Sequence, residues 1–514
     1  MALRQVPRIV WDRLRQGFRD RPHSEVAEAD RARAERALVG DAVATQAMGA
    51  LAGGPFLVAY ALALGASDLA VGILAALGPL MQFVQLPAGL WLTRVPGTKR
   101  VVLWATLLAR ASWLWVALVP WVLPPAFRVP ALLALVAVFH CFGTVGALGF
   151  SSWVRNLLPE ERLGRVMGRR LGISTAVAAC AGLAAGFAVD LARKAVGEGP
   201  ALSGTLVLAG SFGLASLWFL AEVPEPQAEF GAPSSAWRAL ADPFRDARFR
   251  RVVAFTALWG FAANLGAPFF AVYLYRSLGW GVGLVVAASV VSQLVNVAFY
   301  PLWGALADRF SNRAVLAVAV PAYLLVYLLW PFTTLPDPHP FSLPLVFALH
   351  ALAGVATAGT NLCVGNLVLK AAPRGRAPTF LAANALVSGA VAATAPVLAG
   401  WAGNRLAGEA IDVEIRWASR LLDAQGVVLT ASFRNLDFLF LGSALVGIAA
   451  LWALRRVEEA GTVDEAEVLE ALRTRVFHAV RHVSTVAGLR DLFSFPYALY
   501  LRLRPNHRPS PGPQ

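Results

Sequence analysis

Twelve separate stretches of roughly twenty mostly apolar residues run through this chain, each long enough to cross a hydrocarbon layer about 30 Å thick as a helix. In the first half they lie near 42–64, 69–92, 101–122, 131–154, 171–191 and 203–221. In the second half they lie near 252–274, 281–302, 314–335, 343–369, 380–402 and 436–454. Composition agrees: 57% of residues are hydrophobic and 15% charged, against about 25% charged in a soluble domain. The expectation is an all-α membrane protein with the lipid bilayer as its first partner. A net charge of +14 could point to nucleic acid, but no zinc-ligand spacing or aromatic RNA-binding signature accompanies it, so no nucleic-acid partner is expected.

The basic residues instead report orientation. With both termini inside, 36 of the 45 Lys and Arg fall in cytoplasmic segments and eight in external loops. One remains, Arg110, within the third run. A multi-pass protein of the inner (cytoplasmic) membrane of a bacterium, both termini cytoplasmic, is therefore expected. About forty polar residues precede the first run, which argues against a cleavable signal peptide. Cys141, Cys180 and Cys363 lie inside runs without metal-ligand spacing, so they read as buried thiols and no metal is expected.

The segments order themselves as a cytoplasmic amino-terminal segment (1–40), six helices (41–222), a cytoplasmic linker (223–251), six more helices (252–454) and a cytoplasmic tail (455–514). An external insertion at 403–435 reads as a surface helix, with a small lid as the alternative. Thr462 to Glu465 looks like a capping box opening an amphipathic helix that runs to about Val483.

The two sets of six repeat each other. Gly53 and Pro55 recur as Gly266 and Pro268, Gly89 and Arg94 as Gly304 and Arg309, and Pro159 as Pro373, at offsets of 213 to 215. Parallel repeats of this kind are a transporter architecture. Across 41–454 the chain resembles the major facilitator superfamily. The residues Gly304, Asp308, Arg309 and Arg313 are similar to its signature loop Gly-x-x-x-Asp-Arg-x-Gly-x-Arg, with Ser311 in place of the second glycine. The copy at Gly89 and Arg94 departs further, with Thr93 for the Asp and a longer turn. The resemblance implies twelve transmembrane helices in two pseudo-symmetric six-helix bundles. It also implies an inner gate in which Asp308 and Arg309 stabilise an outward-open state, Gly304 letting two helices approach. The plainer alternative is that Arg94, Lys99, Arg309 and Arg313 only anchor topology.

Ionisable groups inside a span are costly and invite functional readings. His140, Thr144, Ala147 and Ser151 share one helix face, and His350, Gly354, Thr357 and Asn361 share another. The resemblance puts helices one, four, seven and ten around a central cavity. The cavity expected from both consists of His140, His350, Gln46, Tyr60, Thr144, Trp259, Asn264, Thr357 and Asn361. Gly53, Pro55, Gly266 and Pro268 are expected helix hinges. Arg110 reads as snorkelling to the cytoplasmic interface. Asp41 reads as a helix N-cap, or as the candidate for coupling to protons.

The function expected is secondary active or facilitative movement of a small organic solute by alternating access, by a monomer without cofactor and with protons as the candidate coupling ion. The alternative is a non-transporting membrane receptor or assembly partner on the same fold. No nucleophile with an acid/base set marks an enzyme, and no Walker A sequence marks a built-in ATPase.

Overall fold

A computed structural model of the chain describes residues 27–92, 94–95, 97–226, 241–334, 338–373, 376–419 and 424–459. Thr93 and the amphipathic segment after Thr462 lie outside these residues. Twelve described helices are long and apolar enough to cross a membrane. Spans one to six are Asp30–Ala63, Asp68–Leu92, Thr98–Val122, Pro125–Leu157, Arg162–Val196 and Glu198–Glu222. Spans seven to twelve are Ala247–Arg276, Val282–Arg309, Asn312–Leu329, Ser342–Ala371, Thr379–Leu406 and Asp437–Arg455. They form two six-helix bundles that repeat one another.

Several helices extend beyond the apolar runs into charged sequence. The first helix opens at Glu28, so Asp41 lies well inside it and is not an N-cap. The fifth helix opens at Glu160, which moves Arg170 from a loop into a span. Charge lowers the local hydropathy at these ends, so the apolar runs alone stop short of where the helices begin.

Proline and glycine interrupt the spans at matching places. Helix one breaks at Gly53, whose backbone is extended, and restarts at Gly54, whose φ of +49° is the left-handed conformation glycine tolerates. Helix seven ends at Gly266 and restarts at Phe269, across Pro268. A proline supplies no N–H to the ladder, so the turn before it is free to part. Span two is interrupted after Pro79 by a 3-10 turn, Gln82–Val84.

The insertion at 403–435 is not a surface helix: span eleven runs on to Leu406, and strands follow. It is an antiparallel hairpin, β1 Ala410–Ser419 and β2 Ala424–Arg434, with a register shift at Ile415/Arg416. Ile411, Val413, Ile415 and Trp417 alternate with Asp412, Glu414 and Arg416, a period of two that suits a strand. We call its side of the molecule the hairpin face and the opposite side, which carries Glu225 and the 3-10 turn Asp242–Arg245, the linker face. Among the cysteines Cys363 is buried and Cys141 half-buried, whereas Cys180 is exposed.

Candidate functional site

Between the bundles, at the level of the two helix breaks, lies a cavity of 460 Å³. Pro55 and Pro268 line it together with Tyr323, Trp330, His350 and Thr357. The His350 ring is fixed by a 3.0 Å bond between Nδ1 and the Val346 carbonyl and stands 5.4 Å from the Trp330 ring. Trp330 is 1% exposed, packs against Phe270 at 4.0 Å, and its Nε1–H has no partner among the described residues. A buried donor left over in a cavity wall is a group that a ligand can use.

A second cavity, of 360 Å³, sits inside the amino-terminal bundle. Asp41 of span one, Arg110 of span three and Arg170 of span five meet in its wall. Arg170 donates to Asp41 Oδ2 at 3.0 Å, and Arg110 Nη2 stands 3.6 Å from Oδ1. Arg110 also donates to Thr45 Oγ1 at 2.9 Å and to the Gly213 carbonyl at 3.0 Å. It is 8% exposed and held within the bundle, and does not snorkel to an interface. An Asp on a neighbouring helix at the same depth gives the guanidinium a nearer partner than the membrane surface.

A third cavity, of 660 Å³, separates spans two and eleven on the linker side of the midplane, around Gln82 to Leu86 and Ala382 to Ala392. Gln82, Gln85 and His140 line both this cleft and the amino-terminal cavity. Gly78 faces the imidazole of His140, where an added Cβ would stand 3.3 Å from the ring.

The expected cavity residues therefore divide. His350 and Thr357 line the central cavity, while His140 and Thr144 line the amino-terminal one, so the two histidines are not brought together. Gln46 lies with Gln293 in a crevice of 230 Å³ between spans one, five and eight. The other four face none of these cavities. Tyr60 is fully buried and donates to the Val116 carbonyl at 2.7 Å. Trp259 packs edge-on against Tyr323, and Asn264 donates to the Gly260 carbonyl of its own helix. Asn361 is exposed. Trp330, Tyr323, Arg110 and Arg170 were missed or misread; an Arg in an apolar run and a Gln pair at 82 and 85 were the available signals.

The two faces of the molecule differ. At the hairpin face the bundles are joined. Gly400 packs so closely on span two that an added Cβ would stand 2.3 Å from the Asp68 carbonyl oxygen, and Gly186 packs on Gly283 in the same way, at 3.0 Å. Arg276 pairs with Asp68 and donates to the Ala66 carbonyl, and Tyr275 donates to the Pro55 carbonyl at 3.0 Å. Asp190 of span five accepts from the Val282 and Gly283 N–H groups that open span eight, at 2.9 and 2.8 Å. Asn404 of span eleven, 214 residues on, accepts from Leu69 N at the start of span two. Free N–H groups at a helix start are natural partners for such side chains.

At the linker face the signature loop makes its contacts within one bundle. Asp308 has no hydrogen bond or ion pair among the described residues, Arg309 lies over the Phe310 ring, and Arg94 is exposed. Gly304 and Gly89 meet only ordinary side-chain contacts at 3.8 and 3.7 Å, so neither supplies a close helix approach; Gly359, set against Trp303 and Ala319, does. Glu225 accepts from the Lys99 N–H that opens span three, and Glu459 accepts from the Arg313 N–H that opens span nine. Burial opposes the charge on Glu459, yet bonds from Asn312, Lys370 and the Arg313 N–H outweigh it, and its carboxyl lies below the usual range. Among the described residues no three His, Cys, Asp or Glu stand together as a metal site.

A family model described as Major Facilitator Superfamily matches residues 42–396. No curated protein sequence matches the chain. Among solved structures the chain is similar to the nucleoside transporter NupG, with TM-score 0.61 and 14% identity over 82% of this chain and 98% of that one. It is similar to a D-xylose-proton symporter, with TM-score 0.56 and 14% identity over 83% and 98%. A bacterial homologue of the iron transporter ferroportin, in an inward-facing state, gives TM-score 0.57 and 13% identity over 84% and 99%. At these identities the likeness is one of fold.

Proposed function

The chain belongs to the major facilitator superfamily, and from that premise we propose that it carries a small organic solute across a bacterial inner membrane by alternating access. The linker face is cytoplasmic in this reading, because the basic residues concentrate there, and both termini lie on that side. The state described is then inward-facing: shut at the hairpin face by Asp68, Arg276, Asp190 and Asn404, and parted at the cleft between spans two and eleven.

The observation that carries the reading is the central cavity of 460 Å³, set where both gate helices break and lined by His350, Thr357 and the unspent Trp330 N–H. Gly53, Pro55, Gly266 and Pro268 are the hinges about which the hairpin face opens. In the outward-open state Asp308 and Arg309 gain partners across the linker face. Protons are the coupling ion we assign, the protein works as a monomer, and it performs no chemistry on its cargo.

The test compares solutes inside and outside intact cells by mass spectrometry, with and without the protein, in complex medium. A solute that shifts in one direction, with the shift abolished in Trp330→Phe and His350→Ala and reduced when the proton gradient is collapsed, is the expected result. An abundant, folded protein that shifts nothing would sink the transport reading.

A further inference from the structure

The cavity in the amino-terminal bundle carries a surplus of positive charge. Arg110 and Arg170 share a single carboxylate, Asp41, and among the described residues no other acidic side chain lines the cavity. Arg110 is enclosed and committed to Thr45, the Gly213 carbonyl and Asp41. Arg170 is not. Its Nε donates to the Leu38 carbonyl at 3.2 Å and its Nη2 to Asp41, which leaves Nη1 with no partner among the described residues. Its side chain is 23% exposed, and its guanidinium lies over the Phe150 ring at 4.8 Å, which fixes its plane. The wall shared with the cleft consists of Gln82, Gln85 and His140, so a solute in the cleft reaches Arg170 without crossing a packed helix. In the other bundle the corresponding positions are Ala254, Leu324 and Asn384, and none is charged.

We propose that Arg170, backed by Arg110, binds the carboxylate or phosphate of an anionic organic solute, and that Asp41 is the internal counter-ion this group displaces from Arg170. A guanidinium offers paired N–H donors in the plane that such oxyanions accept. The neutral amides of Gln82 and Gln85 are placed to bind the rest of the solute. That the anion is cargo rests on the transport reading above; that it binds here does not.

The experiment is protection of the purified full chain against thermal unfolding by succinate and by inorganic phosphate at fixed ionic strength, with succinamide as neutral control. Both anions are expected to protect and succinamide is not. Arg170→Gln should raise the half-protecting concentration about tenfold, the scale of one lost charge-assisted bond, and Arg170→Lys should raise it less. Asp41→Asn should lower it, because the competitor is gone; a purely structural cluster would weaken binding in every variant. Should Asp41→Asn fail to fold, the two Arg170 variants decide. Equal protection by succinamide, or no change in Arg170→Gln, overturns the proposal. Protection by phosphatidylglycerol nanodiscs over phosphatidylcholine ones, with no effect of soluble anions, overturns the assignment to a solute and gives the site to a lipid phosphate. Binding with these signs but no flux in vesicles removes the transport reading alone, whereas flux of a neutral solute untouched by Arg170→Gln, in a protein that the anions do not protect, removes this one alone.

Discussion

Gly213 in span six and Gly447 in span twelve hold the same place in the two bundles, and different side chains press on them. Arg110 lays its stem against Gly213 and donates to its carbonyl, whereas Leu324, 214 residues after Arg110, packs against Gly447. A Cβ would stand 2.6 Å from Met48 Sδ and 3.1 Å from Arg110 Cβ at Gly213, and 2.1 Å from Leu324 Cδ2 at Gly447, so both bundles fill the space beside this glycine with side chains. Around it the chemistry has diverged. The amino-terminal bundle holds an Asp between two Arg. At the places of Arg110 and Arg170 the carboxy-terminal bundle has Leu324 and Asn384, the amide accepting from Thr256 at 2.8 Å, and it gathers Phe270, Tyr327, Trp330 and Phe440 into one aromatic cluster. Backbone packing is dictated by the bundle as a whole, while a buried polar set needs only its own members to match. One half can therefore specialise without the other.

The sharpest way to break this contrast is to give the first half the second half's residue. Arg110→Leu removes a partner from a buried carboxylate and is expected to cost about 3 to 5 kcal/mol. Adding Asp41→Ala should return most of that, because the second variant removes the stranded charge and Arg170 can turn to the cavity. Unfolding of the single and double variants in detergent measures both terms, and a double variant as weak as the sum of the singles would mean the triad is not a unit.

A smaller effect compares the two caps at the hairpin face. Asp190 meets two N–H groups with a full charge, Asn404 meets one at 3.4 Å with a neutral oxygen. Asp190→Ala should weaken closure of that face by about 1 to 2 kcal/mol and Asn404→Ala by about half as much. Thiol labelling of a cysteine placed at Val58, in the central cavity wall, reads the opening from outside; equal effects would mean the charge is irrelevant.

The smallest concerns Glu459. Its lowered carboxyl gives stability that is present above the ordinary Glu value near ~4.3 and lost as pH falls through the lower folded value. Glu459→Gln is thus expected to cost about 1 kcal/mol at pH 7 and progressively less in acid. A difference independent of pH would assign the effect to packing.

The spans, the repeat and the helix breaks were legible because each depends on local pattern: apolar length, a landmark glycine, a proline. The sites were legible only in depth. Sequence places Arg110 nine residues into a helix but says nothing of what stands beside it, and its partners Asp41 and Gly213 lie 69 residues before and 103 after. Arg170 was hidden further, because its helix begins in charged sequence that reads as loop. Tyr60 and Trp259 failed in azimuth: each sits on the side of its span that faces its own bundle. The hairpin was legible in principle, since its alternation is plain, but a short two-stranded unit among helices was outranked by the pattern around it.

That hairpin also accounts for a change of interval in the repeat. Equivalent residues in spans three to five and nine to eleven stand 214 apart, as in Arg110 and Leu324 or Asp190 and Asn404. Beyond the hairpin the interval is 234, as in Gly213 and Gly447 or Glu225 and Glu459. The first half joins the same two spans through Gly197 alone. The twenty extra residues therefore fall wholly in the connection that the strand pair occupies, so the pairing of helices between the two halves resumes in span twelve as if the hairpin were absent.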